Sequence, residues 1–242
     1  MHGTTVADAG LLERVVNAYG GEQRWSDATA VETRISMGGL MLRLKGHAPG
    51  SLRNMRARTE IAHPSVRVEP IDAAGNVGVL DGQTVRLETP DGRTLDERPN
   101  IRRTLTRGKK LLRWDRLDAL YFIGYTQWTY NAFPALLWRD DVTWRKASDD
   151  TFEVEFAPEL PTHSAVQLFH IDPATGLLRG MEYTAEVFGG FAKAIHVVEA
   201  HGDSDGIPYP SRRRIWSRKR DGSPRTSGPL MVSLDVHEWR LV

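Results

Sequence analysis

The chain has no cysteine in its 242 residues. This excludes disulfides, thiolate metal sites and cysteine nucleophiles together. It also lacks a dominant charge: 32 Lys and Arg stand against 31 Asp and Glu, so no net field draws nucleic acid or acidic lipid to the whole molecule. Neither a P-loop nor a G-x-G-x-x-G is present, which removes the usual phosphate cradles, and Gly189-Gly190 reads as a hairpin turn. No HExxH, HxH or G-x-S-x-G occurs. His163 and His170 are seven apart, and His196 and His201 five apart, odd spacings that send strand side chains to opposite faces. The same geometry separates Ser164 from His163. No metal, nucleotide cofactor or serine-hydrolase chemistry is indicated. A basic n-region followed by an apolar h-region is missing at the N-terminus, as is a lipidation cysteine, and a cytoplasmic location is expected. Repeats, low-complexity segments and Pro- or Ser-rich linkers are absent, so a single domain over 1–242 is expected.

Long apolar runs are scarce too, with one exception. From Ala119 to Trp138 the sequence ALYFIGYTQWTYNAFPALLW carries no charge. With its flank Trp114 it holds eight of the chain's 20 aromatics. A segment apolar on all sides is buried or lies in a membrane. Thr126, Gln127, Thr129, Asn131 and Pro134 interrupt it, which argues for burial and against a membrane span. It reads as a helix from about Asp115 to Asn131, ended by Pro134.

The rest is punctuated by turns and runs at a period of two. An N-terminal helix comes first, capped by Asp8, with Leu11, Leu12, Val15, Val16 and Tyr19 on one face and Gly20-Gly21 as its stop. A helical turn over 22–25 follows. Strands are predicted at 28–37, 40–47, 51–61, 65–71, 76–80 and 83–89, and again near 142–147, 151–157, 164–172, 177–186, 192–201, 210–219 and 229–241. Phe152, Val154 and Phe156 alternate with Glu153 and Glu155, the mark of a sheet wet on one face. The fold class that follows is mainly β (α+β): a large curved antiparallel sheet or half-barrel wrapped around a buried central helix, since about twelve strands do not stay flat.

Two basic clusters stand out, one over 98–116 and one over 212–220. Trp114 and Trp216 lie near them as stacking surfaces. Strand alternation splits each cluster between two faces, and acidic residues elsewhere cancel the field, so a solvated surface is the reading and no nucleic-acid partner is expected.

The helix followed by Tyr19-Gly20-Gly21 and Trp25, then a meander wrapped on helices, resembles the superfamily of the lipoprotein carriers LolA and LolB, to which the violacein-pathway enzyme VioE is also structurally similar. The segments FIGYTQWTYNAFP (122–134), THSAVQLFHID (162–172), GLLRGMEYTAEVFGG (176–190) and GIPYPSRRRIW (206–216) resemble a group of mostly uncharacterised bacterial proteins. The resemblance implies a LolA/LolB-like fold over the whole chain and, from the carriers, a lipid-like ligand.

Polar side chains that alternate into a curled sheet must bond to one another or to a ligand. Those expected inside are Tyr125, Gln127, Tyr130 and Asn131 on the helix, and Gln167, His170, Tyr183 and His196 on strands. His170, His196, Tyr183 and Tyr130 are the proton-transfer candidates, because histidine and tyrosine are what a chain without cysteine offers there. Tyr125, Gln127, Trp128, Asn131 and Gln167 are the expected ligand contacts. The expected partner is a small hydrophobic or aromatic molecule, with a homodimer left open. Two functions follow: a cofactor-independent biosynthetic enzyme of cyclase, isomerase or dehydratase type, or a non-catalytic carrier of a lipid or other hydrophobic ligand.

Overall fold

The computed structural model describes the backbone from residue 6 to 242 and the side chains from residue 10 onward. Two helices, α1 (Val6–Ala18) and α2 (Glu22–Asp27), precede β1 (Ala30–Gly38). After α3 (Leu40–Leu44) come β2 (Met55–Glu60), β3 (Ser65–Glu69), β4 (Val77–Asp81), β5 (Thr84–Glu88) and β6 (Thr94–Arg98). Next are α4 (Arg102–Leu105) and α5 (Arg116–Asn131). The second run holds β7 (Val142–Ser148), β8 (Thr151–Phe156), β9 (Val166–Ile171), β10 (Leu178–Thr184), β11 (Lys193–Ser204), β12 (Ile207–Ser217) and β13 (Val232–Leu241).

All thirteen strands join one antiparallel sheet in the order β6-β5-β4-β3-β2-β1-β13-β12-β11-β10-β9-β8-β7. The sheet is open, with β6 and β7 at its two edges. It is two meanders sewn together where β1 pairs with β13, from Val31 opposite Leu241 to Gly38 opposite Ser233.

This order explains the place of α5. It is the connection between the two edge strands, so the chain must cross from one edge of the sheet to the other, and a 16-residue helix spans about 24 Å of that path. The helix packs on β2 to β5 and reaches β10 through the hydroxyls of Tyr130 and Tyr183. A sheet that touches one helix with both halves has to curve around it. Every residue of α5 from Leu117 to Asn131 is buried.

The helix starts where the sequence places it. Asp115 accepts from the Asp118 N–H while the Asp118 carboxylate accepts from the Asp115 N–H, a reciprocal capping box. Two cations of the basic segment are taken up by these carboxylates, since Arg98 and Lys110 each pair with both Asp115 and Asp118. At its middle the helix approaches β4 closely through two glycines. A Cβ at Gly124 would lie 2.7 Å from Leu80 Cβ, and one at Gly78 would overlap the Leu120 side chain.

Several expectations need correction. Residues 40–47 form no strand: Gly39 turns the chain at φ 113°, and the run LMLRL, free of β-branched residues, closes the short α3 instead. β6 was not among the expected strands, because Thr94, Leu95, Asp96 and Glu97 are all exposed and no alternation marks it. At the N-terminus α1 already runs from Val6, ahead of the start expected at Asp8, and the Asp8 side chain lies outside the described residues. Leu11, Val15 and Val16 are buried as its inner face, Leu12 is half-buried, and Tyr19 is buried just past its end. Among the described residues no helix is long and apolar enough to cross a membrane.

Candidate functional site

Phe122, Thr126 and Tyr130 follow one another at a spacing of four along α5, so they form a single stripe. That stripe faces a cavity of about 200 Å³ closed on its other sides by β10 to β13 and by the segment between β10 and β11. Ala185, Phe188, Ala194, Ile215 and Leu234 make the walls. Phe191, 84% exposed, stands at the mouth. The lining is mostly apolar; its polar members are Thr126, Lys193, Ser217, Arg218, which pairs with Glu182, and the floor, where Tyr130, Tyr183 and His163 meet.

His163 is the centre of this floor. Its Nδ1 lies 3.1 Å from the Tyr125 hydroxyl and its Nε2 2.8 Å from the Tyr130 hydroxyl. Tyr130 in turn is 3.0 Å from the Tyr183 hydroxyl. The Tyr183 ring stacks flat on the imidazole, centroids 3.7 Å apart. His163 sits in the loop between β8 and β9, and its backbone is clamped from outside: its carbonyl accepts from Arg102 at 3.3 Å and from the Glu186 N–H at 3.2 Å. Arg102 also donates to the Thr162 carbonyl and pairs with Glu186 at 2.6 Å. Arg102, from the basic stretch ahead of α5, thus helps to hold the imidazole in place.

Burial keeps these groups neutral. It pushes the Tyr125 and Tyr183 phenols well above their ordinary range and Tyr130 up to about 12. The rings of His163 and His196 are pushed well below 6.5, first by burial and then by the charges of Arg102 and Arg213 respectively. Four neutral hydrogen-bonding groups underlie an apolar cavity.

Arg213, on the inner face of β12, is 2% exposed and pairs with no carboxylate among the described residues. Burial lowers its pKa to about 10, so it stays charged at neutral pH. Its guanidinium lies 4.6 Å from the centre of the Tyr130 ring, 3.5 Å from the Tyr130 carbonyl and 3.4 Å from His196 Nε2. Tyr130 is in the last turn of α5, where free carbonyls carry partial negative charge. The helix terminus is the counter-charge.

Of the residues picked from sequence, Tyr125, Tyr130 and Tyr183 come together on His163, and Tyr130 and Tyr183 line the cavity. His196 packs edge-on against Tyr130 at 4.8 Å, behind the floor. Gln127 and Asn131 bond to each other and, from Asn131, to Thr59, on the side of the helix that faces β2. Trp128 is fully buried with the Arg139 guanidinium 5.3 Å over its ring, away from the cavity. Gln167 donates to the Ser164 carbonyl. His170 belongs to the other face of the sheet, between Thr151 and Glu182. The residue missed was His163, which lies in a loop where no period applies. Among the described residues no three of His, Asp and Glu gather as a metal site would require.

No family model matches the chain, and no curated protein does. Among solved structures it is similar to a LolA superfamily protein from Nitrosomonas europaea, at 14% identity and a TM-score of 0.48, over 98% of this chain and 94% of that one. It is also similar to a DUF1329 family protein from Desulfovibrio piger, at 10% identity and a TM-score of 0.46, over 98% and 94% of the two chains.

Proposed function

We propose that this protein binds a small apolar or aromatic molecule in the cavity beside α5, as a non-catalytic binder or carrier. One observation carries the reading: the cavity is walled mainly by apolar side chains, with the exposed Lys193 and the Glu182-paired Arg218 as its only cations among the described residues, and it is floored by groups that burial keeps uncharged. Apolar surface that is neither packed nor exposed gains most from a ligand of its own kind. The pKa directions also speak against proton transfer as the main task, because a general acid or base works best with a pKa near the working pH, and here the phenols move up and the imidazole moves down.

Titration with a neutral naphthylamine dye tests this. The folded protein is expected to bind one dye with enhanced fluorescence, and Ala185→Phe, which fills the cavity from its wall, is expected to abolish binding without unfolding the chain. A folded protein that leaves the dye in water overturns the reading.

A second reading, a cofactor-independent cyclase, isomerase or dehydratase, has one observation in its favour. The bonds from Tyr125 through His163 and Tyr130 to Tyr183 form a continuous path that ends at the cavity. An enzyme of this kind is expected to convert a bound compound and to lose turnover by about a hundredfold in Tyr183→Phe or Tyr130→Phe. Turnover unchanged in both removes it.

A further inference from the structure

The three contacts on the cavity floor hold a count of hydrogens that does not balance internally. A neutral imidazole has one N–H and one bare nitrogen, and each of the three phenols brings one O–H. Four hydrogens therefore serve three contacts. One is left over.

Where it sits depends on the tautomer of His163. If Nδ1 carries the hydrogen, it donates to Tyr125; Tyr130 then donates to Nε2 and Tyr183 to Tyr130. The surplus O–H falls on Tyr125, which is fully buried among Tyr121, Phe122 and His163 and has no other partner among the described residues. If Nε2 carries the hydrogen, Tyr125 donates to Nδ1 and Nε2 donates to Tyr130. The surplus then belongs to the Tyr130–Tyr183 pair, and both of these line the cavity. A buried donor without an acceptor is strongly unfavourable, whereas one at a cavity wall can be met by whatever enters. The second arrangement wins.

We propose that the cavity selects apolar molecules that carry an acceptor oxygen, of ketone, aldehyde or ester type, at the end that enters first, received by the hydroxyl pair of Tyr130 and Tyr183. The selectivity rests on the apolar-binding reading above and adds a direction to it. Among the described residues no cation bonds to Tyr130, Tyr183 or His163 from the cavity side: Arg213 lies behind the Tyr130 ring, and of the two cations in the lining Arg218 pairs with Glu182 and Lys193 is exposed. Tyr125 acts as a positioning residue: by donating to Nδ1 it fixes the tautomer that frees a hydroxyl hydrogen for the ligand.

Two measurements test this. The first is the ¹⁵N shift pattern of histidine-labelled protein, with His163 assigned by its loss in His163→Gln. The hydrogen is expected on Nε2; a hydrogen on Nδ1, or averaging between the two, overturns the proposal without any ligand being involved. The second compares 2-acetylnaphthalene with 2-ethylnaphthalene, which match in shape and differ by a carbonyl oxygen. The ratio of their affinities, ketone over hydrocarbon, is expected to fall about fivefold when Tyr130 and Tyr183 are both changed to Phe, the loss of one ordinary hydrogen bond. An unchanged ratio with both compounds bound overturns the acceptor selectivity and leaves the apolar cavity standing. Binding of neither compound to the native protein overturns both.

Discussion

The Tyr183 ring lies flat on the imidazole of His163, with planes within 5° and centroids 3.7 Å apart. A phenol on a strand thus orients a histidine on a loop. Tyr183→Phe keeps the stack and loses the hydroxyl, and is expected to destabilise the fold by about 1 kcal/mol. Tyr183→Leu loses both and is expected to be worse by a further 0.5–1.5 kcal/mol or so. Urea unfolding of the two variants reads the difference; equal midpoints would show that the stack contributes nothing.

Acid should weaken the protein before its carboxylates titrate. His163 and His196 have folded pKa values well below 6.5, chiefly through burial, so below pH 6.5 the unfolded chain takes up protons that the folded chain refuses. Stability is full above that pH and falls as pH drops. The unfolding midpoint is expected to fall between pH 7 and pH 5.5, and more steeply below pH 6.5 than above it. Unfolding midpoints across this range are the check, and a flat profile would mean that both rings protonate freely in the folded state.

Trp128→Ala should be among the most damaging single changes. The ring is fully buried against the core and lines no part of the cavity. The expected loss is about 3–5 kcal/mol, and saturating apolar dye should offset little of it. A loss below about 1 kcal/mol, or its recovery by dye, would place the ring at the ligand.

Gly124→Ala tests how closely α5 approaches the sheet. In an unencumbered helix this change stabilises by up to about 1 kcal/mol. Here the new Cβ would lie 2.7 Å from Leu80 Cβ, an atom fixed to the backbone of β4, and the expected result is destabilisation by about 1–3 kcal/mol. The sign of the change in thermal midpoint decides.

The main features of the architecture were legible because they rest on local signals. The uncharged run from Ala119 and the stop at Pro134 mark α5, and Phe152, Val154 and Phe156 show one face of β8. β6 was hidden because an edge strand exposed on both faces has no alternation to read. The site was legible only in part. His170, expected inside, lies between Phe169 and Ile171, which are buried; neighbours on a strand point the other way, which puts His170 outside. By the same logic Tyr183, between the half-buried Glu182 and Thr184, faces inward. His163 was out of reach because its orientation comes from Arg102, Glu186 and three phenols distant in sequence.

The seam between β1 and β13 has a consequence for how the molecule is made. Until residues 232–241 leave the ribosome, β1 and β12 each present an unpaired edge, and the nascent chain holds two ribbons that cannot yet recognise each other. Joining them closes a contact between Val31 and Leu241, among the most distant pairings the sequence offers. Such non-local pairing is slow, and bare strand edges are prone to pair with other chains while they wait. Synthesis rate and chaperone supply should therefore govern the yield of this protein more than its final stability does.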